Sequence, residues 1–249
     1  MSALTVFYAV LFYAAAGILV AGVLARCWRY ARTPQPLKIP IPPAPTTRRG
    51  VALRMIAEVT LFRSLFHSNK WIWLFGWVFH AALLVVLLRH LRYFTEPVWL
   101  WVDLIQPLGL YAAFALLAGL AGLWARRFLV DRVRYISSAS DHLMLALLVA
   151  IAASGLAMKY VAHTDIVALK AFFLGLMAFD WQPLPADAPL LIHLTLVALL
   201  MIVFPVSKLM HAPGVFFSPS LNQVDDARER RHLAGWSARL TQPGATRGH

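Results

Sequence analysis

Apolar residues do not alternate with polar ones along this chain. They collect in long blocks. The clearest is Trp71–Phe94 (WIWLFGWVFHAALLVVLLRHLRYF), in which the eighteen residues from Trp71 to Leu88 carry no formal charge. About 20 consecutive apolar residues span a bilayer core as a helix. Four other blocks have this character: Ser2–Ala25, roughly Leu104–Trp124, Asp141–Tyr160 and Pro189–His211. The pattern predicts an all-α integral membrane protein, a bundle of five transmembrane helices. A sixth apolar stretch, residues 166–179, falls short of a spanning length once Lys170 is allowed for. It reads as an interfacial or re-entrant helix.

The segments between the blocks are polar and mostly basic. Residues 33–50 (TPQPLKIPIPPAPTTRRG) hold too many prolines for a helix interior or a central strand, and read as an extended, polyproline-like inner loop. Residues 51–70 place Met55, Val59, Phe62 and Phe66 against Arg54, Glu58 and Arg63 at helical spacing. That predicts an amphipathic helix at the inner interface, or alternatively a plain N-terminal extension of the second span. Trp99 and Trp101, in the short loop Thr95–Asp103, read as interfacial aromatics. Gly119 and Gly122 leave room for close packing of the third span, and Ser140 or Asp141 can cap the fourth. Residues 1–218 read as one membrane domain, and 219–249 as a basic tail containing DDARERRH.

Charge fixes the expected orientation. Of 23 Lys and Arg residues, 19 lie in the segments 26–70, 125–140 and 208–249, and only Arg89, Arg92, Lys159 and Lys170 lie on the other side. The positive-inside rule then puts the N-terminus outside and the C-terminus in the cytoplasm, in a multi-pass protein of the bacterial inner membrane. The same asymmetry accounts for the net charge of +12 without nucleic acid. Ser2–Ala25 is preceded by no basic residue, so it reads as a retained anchor rather than a cleaved signal. The single cysteine, Cys27, excludes an internal disulfide, an iron–sulfur cluster held by this chain and covalent c-type haem.

Titratable rings inside spans are costly, and by default they mark function. The second span carries His80 and His90, and the fifth carries His193 and His211. Neutral imidazole is a good ligand for haem iron. Two antiparallel helices with two histidines each can hold two bis-histidine haems. Depth order then pairs His90 with His193 near the outer face and His80 with His211 near the inner one. His193 and His211 are 18 residues apart, five helical turns, and so share a face of a continuous helix. The two pairs span about 15 and about 27 Å along their helices, so a tilt or a bend near Pro205 must absorb roughly 12 Å. Gly76, one turn before His80, would admit a macrocycle close to the backbone. Arg89, Arg92 and Lys208 are placed for haem propionates or a quinone, with snorkelling to the interface as the plain alternative. Glu96 and His163 are candidates for moving a proton at the outer face. His67, His142, His232 and His249 read as ordinary polar-segment histidines.

At these residues the chain resembles the gamma subunits of respiratory nitrate reductases. The likeness rests on two histidines ten apart in the second span and two eighteen apart in the fifth. FPVSKLMH (204–211), DRVR (131–134) and the S-x-x-D-x-L run from Ser138 add to it. Within that superfamily KWIWLFGWVFHAALLVVLLRHLRYF, the proline-rich loop and NQVDDARERRH are similar to the DsrM branch, membrane subunits of the complex that accompanies dissimilatory sulfite reductase. The resemblance implies a cytochrome b with two haem b groups, ligated by His80, His90, His193 and His211, that exchanges electrons with menaquinone or ubiquinone. It also implies a cytoplasmic iron–sulfur partner resembling DsrK, with further membrane and periplasmic subunits, in sulfur metabolism. One departure stands out: those nitrate reductase subunits have a glycine before the second histidine, where this chain has Arg89, and a lysine in a longer following loop. Their quinone site does not transfer residue by residue. Three alternatives stay open at this point: a subunit of a nitrate-reductase-like or heterodisulfide-reductase-like complex, a haem-free anchor, and a proton or ion transporter using the same histidines.

Overall fold

In a computed structural model, residues 2–226 apart from Pro36 are described, and among them every regular element is helical. Five helical segments are long and apolar enough to cross a membrane: Ala3–Arg32, Lys70–Tyr93, Leu100–Leu129, Ala139–Ala162 and Ala188–Val206. The chain is a multi-pass membrane protein. Large apolar side chains such as Leu84, Leu104, Leu143 and Ile192 point outward from these helices, as a lipid-facing surface requires.

The helices are α1 (Ala3–Arg32), α2 (Arg48–Leu61), α3 (Arg63–Ser68), α4 (Lys70–His90), α5 (Leu100–Leu129), α6 (Asp131–Ile136), α7 (Ala139–Ala157), α8 (Ile166–Ala178), α9 (Ala188–Val203), α10 (His211–Gly214) and α11 (Pro219–Asn222). The chain divides into two units. The first comprises the described residues up to Val23 together with Phe62–Ser207; the second comprises Leu24–Leu61 and the described residues from Lys208.

In the first unit α4 packs along α5, α5 against α7, and α7 against α9. The α4–α5 contact is close because α5 presents glycines to it. A Cβ on Gly119 would stand 2.9 Å from the Cβ and backbone nitrogen of Phe79, and one on Gly122 would overlap the ring of Phe75. Phe79, Ala82, Ala112, Leu116, Leu120 and Ala152 form the core there. A second core joins α1 to α8 and α9 through Tyr8, Phe12, Phe172, Leu176 and Leu190. Polar groups pin it. The Tyr8 hydroxyl donates to the Leu191 carbonyl (3.0 Å), Tyr13 to Leu176 (2.7 Å), and buried Thr5 accepts from the Leu184 amide (3.2 Å). The short apolar segment is therefore a helix, α8, started by Asp165, whose carboxylate accepts from the amides of Val167 and Ala168.

In the second unit the proline-rich segment is extended and clamped onto the residues after α10. Ile41 N donates to Ser220 O (3.0 Å) and Asp225 N to Pro45 O (2.9 Å). The side chain of Gln223 accepts from Ile39 N (3.0 Å) and donates to Leu37 O (3.4 Å). Residues 227–249, with most of the predicted basic tail, lie outside the described residues.

Four local expectations are corrected. Residues 51–70 are neither one helix nor an extension of the second span. Phe62 adopts a left-handed conformation (φ 50°) that separates α2 from α3, and extended Asn69 then caps α4, accepting from Ile72 N at 3.0 Å. The fourth span is capped by Ser138 rather than by Ser140 or Asp141. Asp141 takes the reciprocal place and accepts from the Ser138 amide at 3.0 Å. The third span is longer than expected, because Leu100–Asp103 and Ala125–Leu129 continue the helix at either end. The fifth span does not run unbroken to His211. Pro205 cannot donate a backbone hydrogen bond, so α9 ends at Val203, a 3-10 turn covers Phe204–Val206, and Ser207 is extended. Pro205 fits against Gly22 of α1, where a Cβ would stand 2.6 Å away.

Candidate functional site

The histidines of the first unit sit on helices that have no extensive contact with each other: α4 packs on α5, whereas α9 packs on α7. His90, at the end of α4, and His193, in the second turn of α9, are nevertheless close enough to interact electrostatically. His193 is buried, 9% exposed, in an otherwise apolar span.

Each ring is fixed by its Nδ1. His90 Nδ1–H donates to the Val86 carbonyl at 2.6 Å, and His80 Nδ1–H to the Gly76 carbonyl at 2.7 Å. Ser154 of α7 donates its one hydroxyl proton to the Ile151 carbonyl (2.9 Å), so it accepts from His193 Nδ1–H (2.9 Å). In the second unit His211 Nδ1–H donates to the Lys208 carbonyl at 2.9 Å. All four imidazoles thus carry their lone pair on Nε2, the tautomer that ligates a metal while the other nitrogen is held by an outer partner. This bond is not unique to them, since His67 of α3 makes the same one to Arg63 (2.8 Å), but His67 is exposed and precedes the span. His142 has the opposite arrangement, with Nδ1 accepting from the indole of Trp124 at 3.1 Å.

The walls around the rings are apolar or small. Phe62 and Phe79 meet the His80 ring edge-on, at centroid distances of 5.0 and 4.7 Å. Gly155, beside Ser154, lies against His193; a Cβ there would come to 3.4 Å from its Cε1. A Cβ on Gly76 would meet only Leu65, at 3.8 Å, so this position is open. Among the described residues no three His, Cys, Asp or Glu side chains converge on one point.

The predicted cationic residues divide. Arg89 and Arg92 come together at the C-terminal end of α4, both donating to the side-chain oxygen of Gln106 at 3.1 Å. Lys208 lies in the second unit, in the turn before His211. Glu96 pairs with Lys170 of α8. His163 stands between the π-turn Met158–Ala162 and α8 in a left-handed conformation (φ 54°). Sequence reasoning missed Ser154, Gly155 and Gln106. Their only signal was polarity or small size within an apolar run.

Fold and histidines together define a polytopic helical membrane protein with His80 and His90 on α4 and His193 on α9. The chain belongs to the nitrate reductase gamma subunit family, which it matches over residues 57–222, a range that holds all four histidines. It is 35% identical over 269 residues to the Hdr-like menaquinol oxidoreductase cytochrome b-like subunit of Archaeoglobus fulgidus, covering 90% of this chain and 81% of that protein. The protein of the same description from Archaeoglobus profundus is 36% identical over 281 residues, covering 94% and 83%.

Proposed function

We propose that this chain is a dihaem cytochrome b subunit that transfers electrons between the membrane quinone pool and a cytoplasmic iron–sulfur subunit. Similarity to the two Archaeoglobus proteins supports menaquinol as the quinone and a heterodisulfide-reductase-like complex as the setting. Within that class we assign the chain to the DsrM type, with a DsrK-like partner and a role in dissimilatory sulfur metabolism. The observation that carries the reading is that His90 and His193, on helices without extensive mutual contact, lie within electrostatic reach of each other, each tied through Nδ1 so that Nε2 offers its lone pair.

In this reading His90 and His193 ligate an outer haem. His80 and His211 ligate an inner one, a pairing supported by the order of the histidines along the sequence, with His211 beyond the end of the fifth span. Bound haem supplies reversible one-electron transfer. The protein's own residues do the rest. The outer partners on Nδ1 hold each ring in its tautomer and orientation. Phe62 and Phe79 keep water from His80. Arg89 and Arg92 offer cations to propionates or to a quinone oxygen, and Lys208 does so near His211. Glu96 and His163 exchange the quinone's protons with water at the outer face. The charge distribution supports an external N-terminus and a cytoplasmic C-terminus, with the basic segments facing the partner.

The test is the haem content and spectrum of purified His→Ala variants. His90→Ala and His193→Ala each lose the same haem, and His80→Ala and His211→Ala lose the other. Retention of a full b-type α-band in all four would refute ligation and favour a haem-free anchor or a transporter.

A further inference from the structure

Arg89 and Arg92 belong to a cluster whose third member has no role so far. Gln106 reaches from α5 to α4, and its oxygen accepts from Arg89 Nε and Arg92 Nη1 at once. Its amide nitrogen donates back to the Val102 carbonyl at 3.2 Å, one turn earlier in α5, and this fixes which end of the amide faces the arginines. Gly109, three residues further on, is the notch over which Arg89 passes, since a Cβ there would overlap the Arg89 stem. Gln106 and Gly109 thus form one receptor for Arg89 on a single face of α5.

The choice of amide is informative. Two guanidinium groups are gathered on a neutral acceptor, and neither is ion-paired among the described residues. The nearest acid along α4's continuation, Glu96, is engaged with Lys170. A carboxylate at position 106 would have cancelled one of the two charges. An amide holds it while leaving both charges and most of the donor hydrogens unspent. Two adjacent forks of this kind match planar carboxylates. His90 and Leu91 lie between the two arginines along the chain, which places the doublet beside the ligand end of α4.

We propose that Gln106 is a positioning residue. It holds Arg89 and Arg92 side by side and charged as a preformed receptor for the carboxylates of the haem bound at His90 and His193. This inference rests on the ligation proposed above. The held doublet raises the reduction potential of that outer haem relative to a site without it, because positive charge favours the electron-bearing form.

The experiment is a spectroscopic redox titration of the purified wild-type complex and of Gln106→Glu and Gln106→Leu. Gln106→Glu keeps an acceptor of the same shape but cancels one charge. It lowers the outer haem midpoint, shifting its reduction equilibrium about tenfold toward the oxidised form, and leaves the inner haem unchanged. Gln106→Leu releases the arginines and also moves only the outer haem. Should the leucine variant fail to fold, the near-isosteric glutamate variant decides alone. If both haems titrate as in wild type in Gln106→Glu, the inference is overturned while ligation stands. Absence of b-type haem from the wild-type protein would overturn the ligation reading, and this inference with it.

Discussion

Gly119→Ala adds one methyl group at the tightest backbone approach between α4 and α5, and its effect can be worked out from the geometry. The new Cβ would stand 2.9 Å from the Phe79 Cβ and backbone nitrogen and 3.0 Å from its Cα. Optimal carbon contacts lie at about 3.5–4.0 Å, so α4 must retreat by about 0.6–1.1 Å. The obstructing atoms are mostly backbone, so no side-chain rotation relieves the clash. Overpacking of this kind costs about 1–3 kcal/mol, roughly 5- to 150-fold in an equilibrium constant. The better helix propensity of alanine offers little compensation, because in the bilayer the separated helices are already helical. Phe79 directly precedes His80, so the retreat also displaces that imidazole. The assay is thermal unfolding in detergent together with haem per polypeptide. Gly119→Ala melts earlier than wild type and is depleted in the haem that His80→Ala loses. Gly17→Ala is the internal control, since nothing lies within 4 Å of its added Cβ; it should behave as wild type. A Gly119→Ala protein with the stability and haem content of Gly17→Ala would refute the reasoning.

Two further predictions concern the site and the topology. Ser154→Ala removes the acceptor of His193 Nδ1–H. It weakens haem retention at the outer site by about 10- to 100-fold, as loss of a ligand's outer partner does, and a haem-release assay against apomyoglobin measures this. A reporter active only in the cytoplasm, fused after His249, works, whereas activity of a periplasmic reporter at the same position would reverse the orientation.

The spans were legible because their apolar runs exceed a bilayer's need, a signal that survives any packing arrangement. Gly119 and Gly122 were legible because small residues on a membrane helix let a neighbouring helix approach closely. What was not legible depended on local backbone choices. Pro205 was visible, but a proline can bend a helix or end it, and only the extended Ser207 decides between the two. The break at Phe62 had no sequence mark, since a left-handed phenylalanine is unfavourable in isolation and is retained by its surroundings. The four histidines stood out by type and depth. Ser154, which holds His193, and Gln106, which holds the two arginines, did not, because a lone hydroxyl or amide in a span reads equally well as self-satisfied along its own helix.

The hydrogen bonds that join Leu37, Ile39, Ile41 and Pro45 to Ser220, Gln223 and Asp225 connect the segment following the first span with the segment following the last. During synthesis the ribosome delivers these two halves on either side of four further spans. The first half therefore waits, with its backbone donors unclaimed, until the fifth span has been released. A nascent or truncated chain can insert its early helices normally and still lack this joint. The joint is therefore present in a finished polypeptide and missing from a fragment that stops short of Ser220.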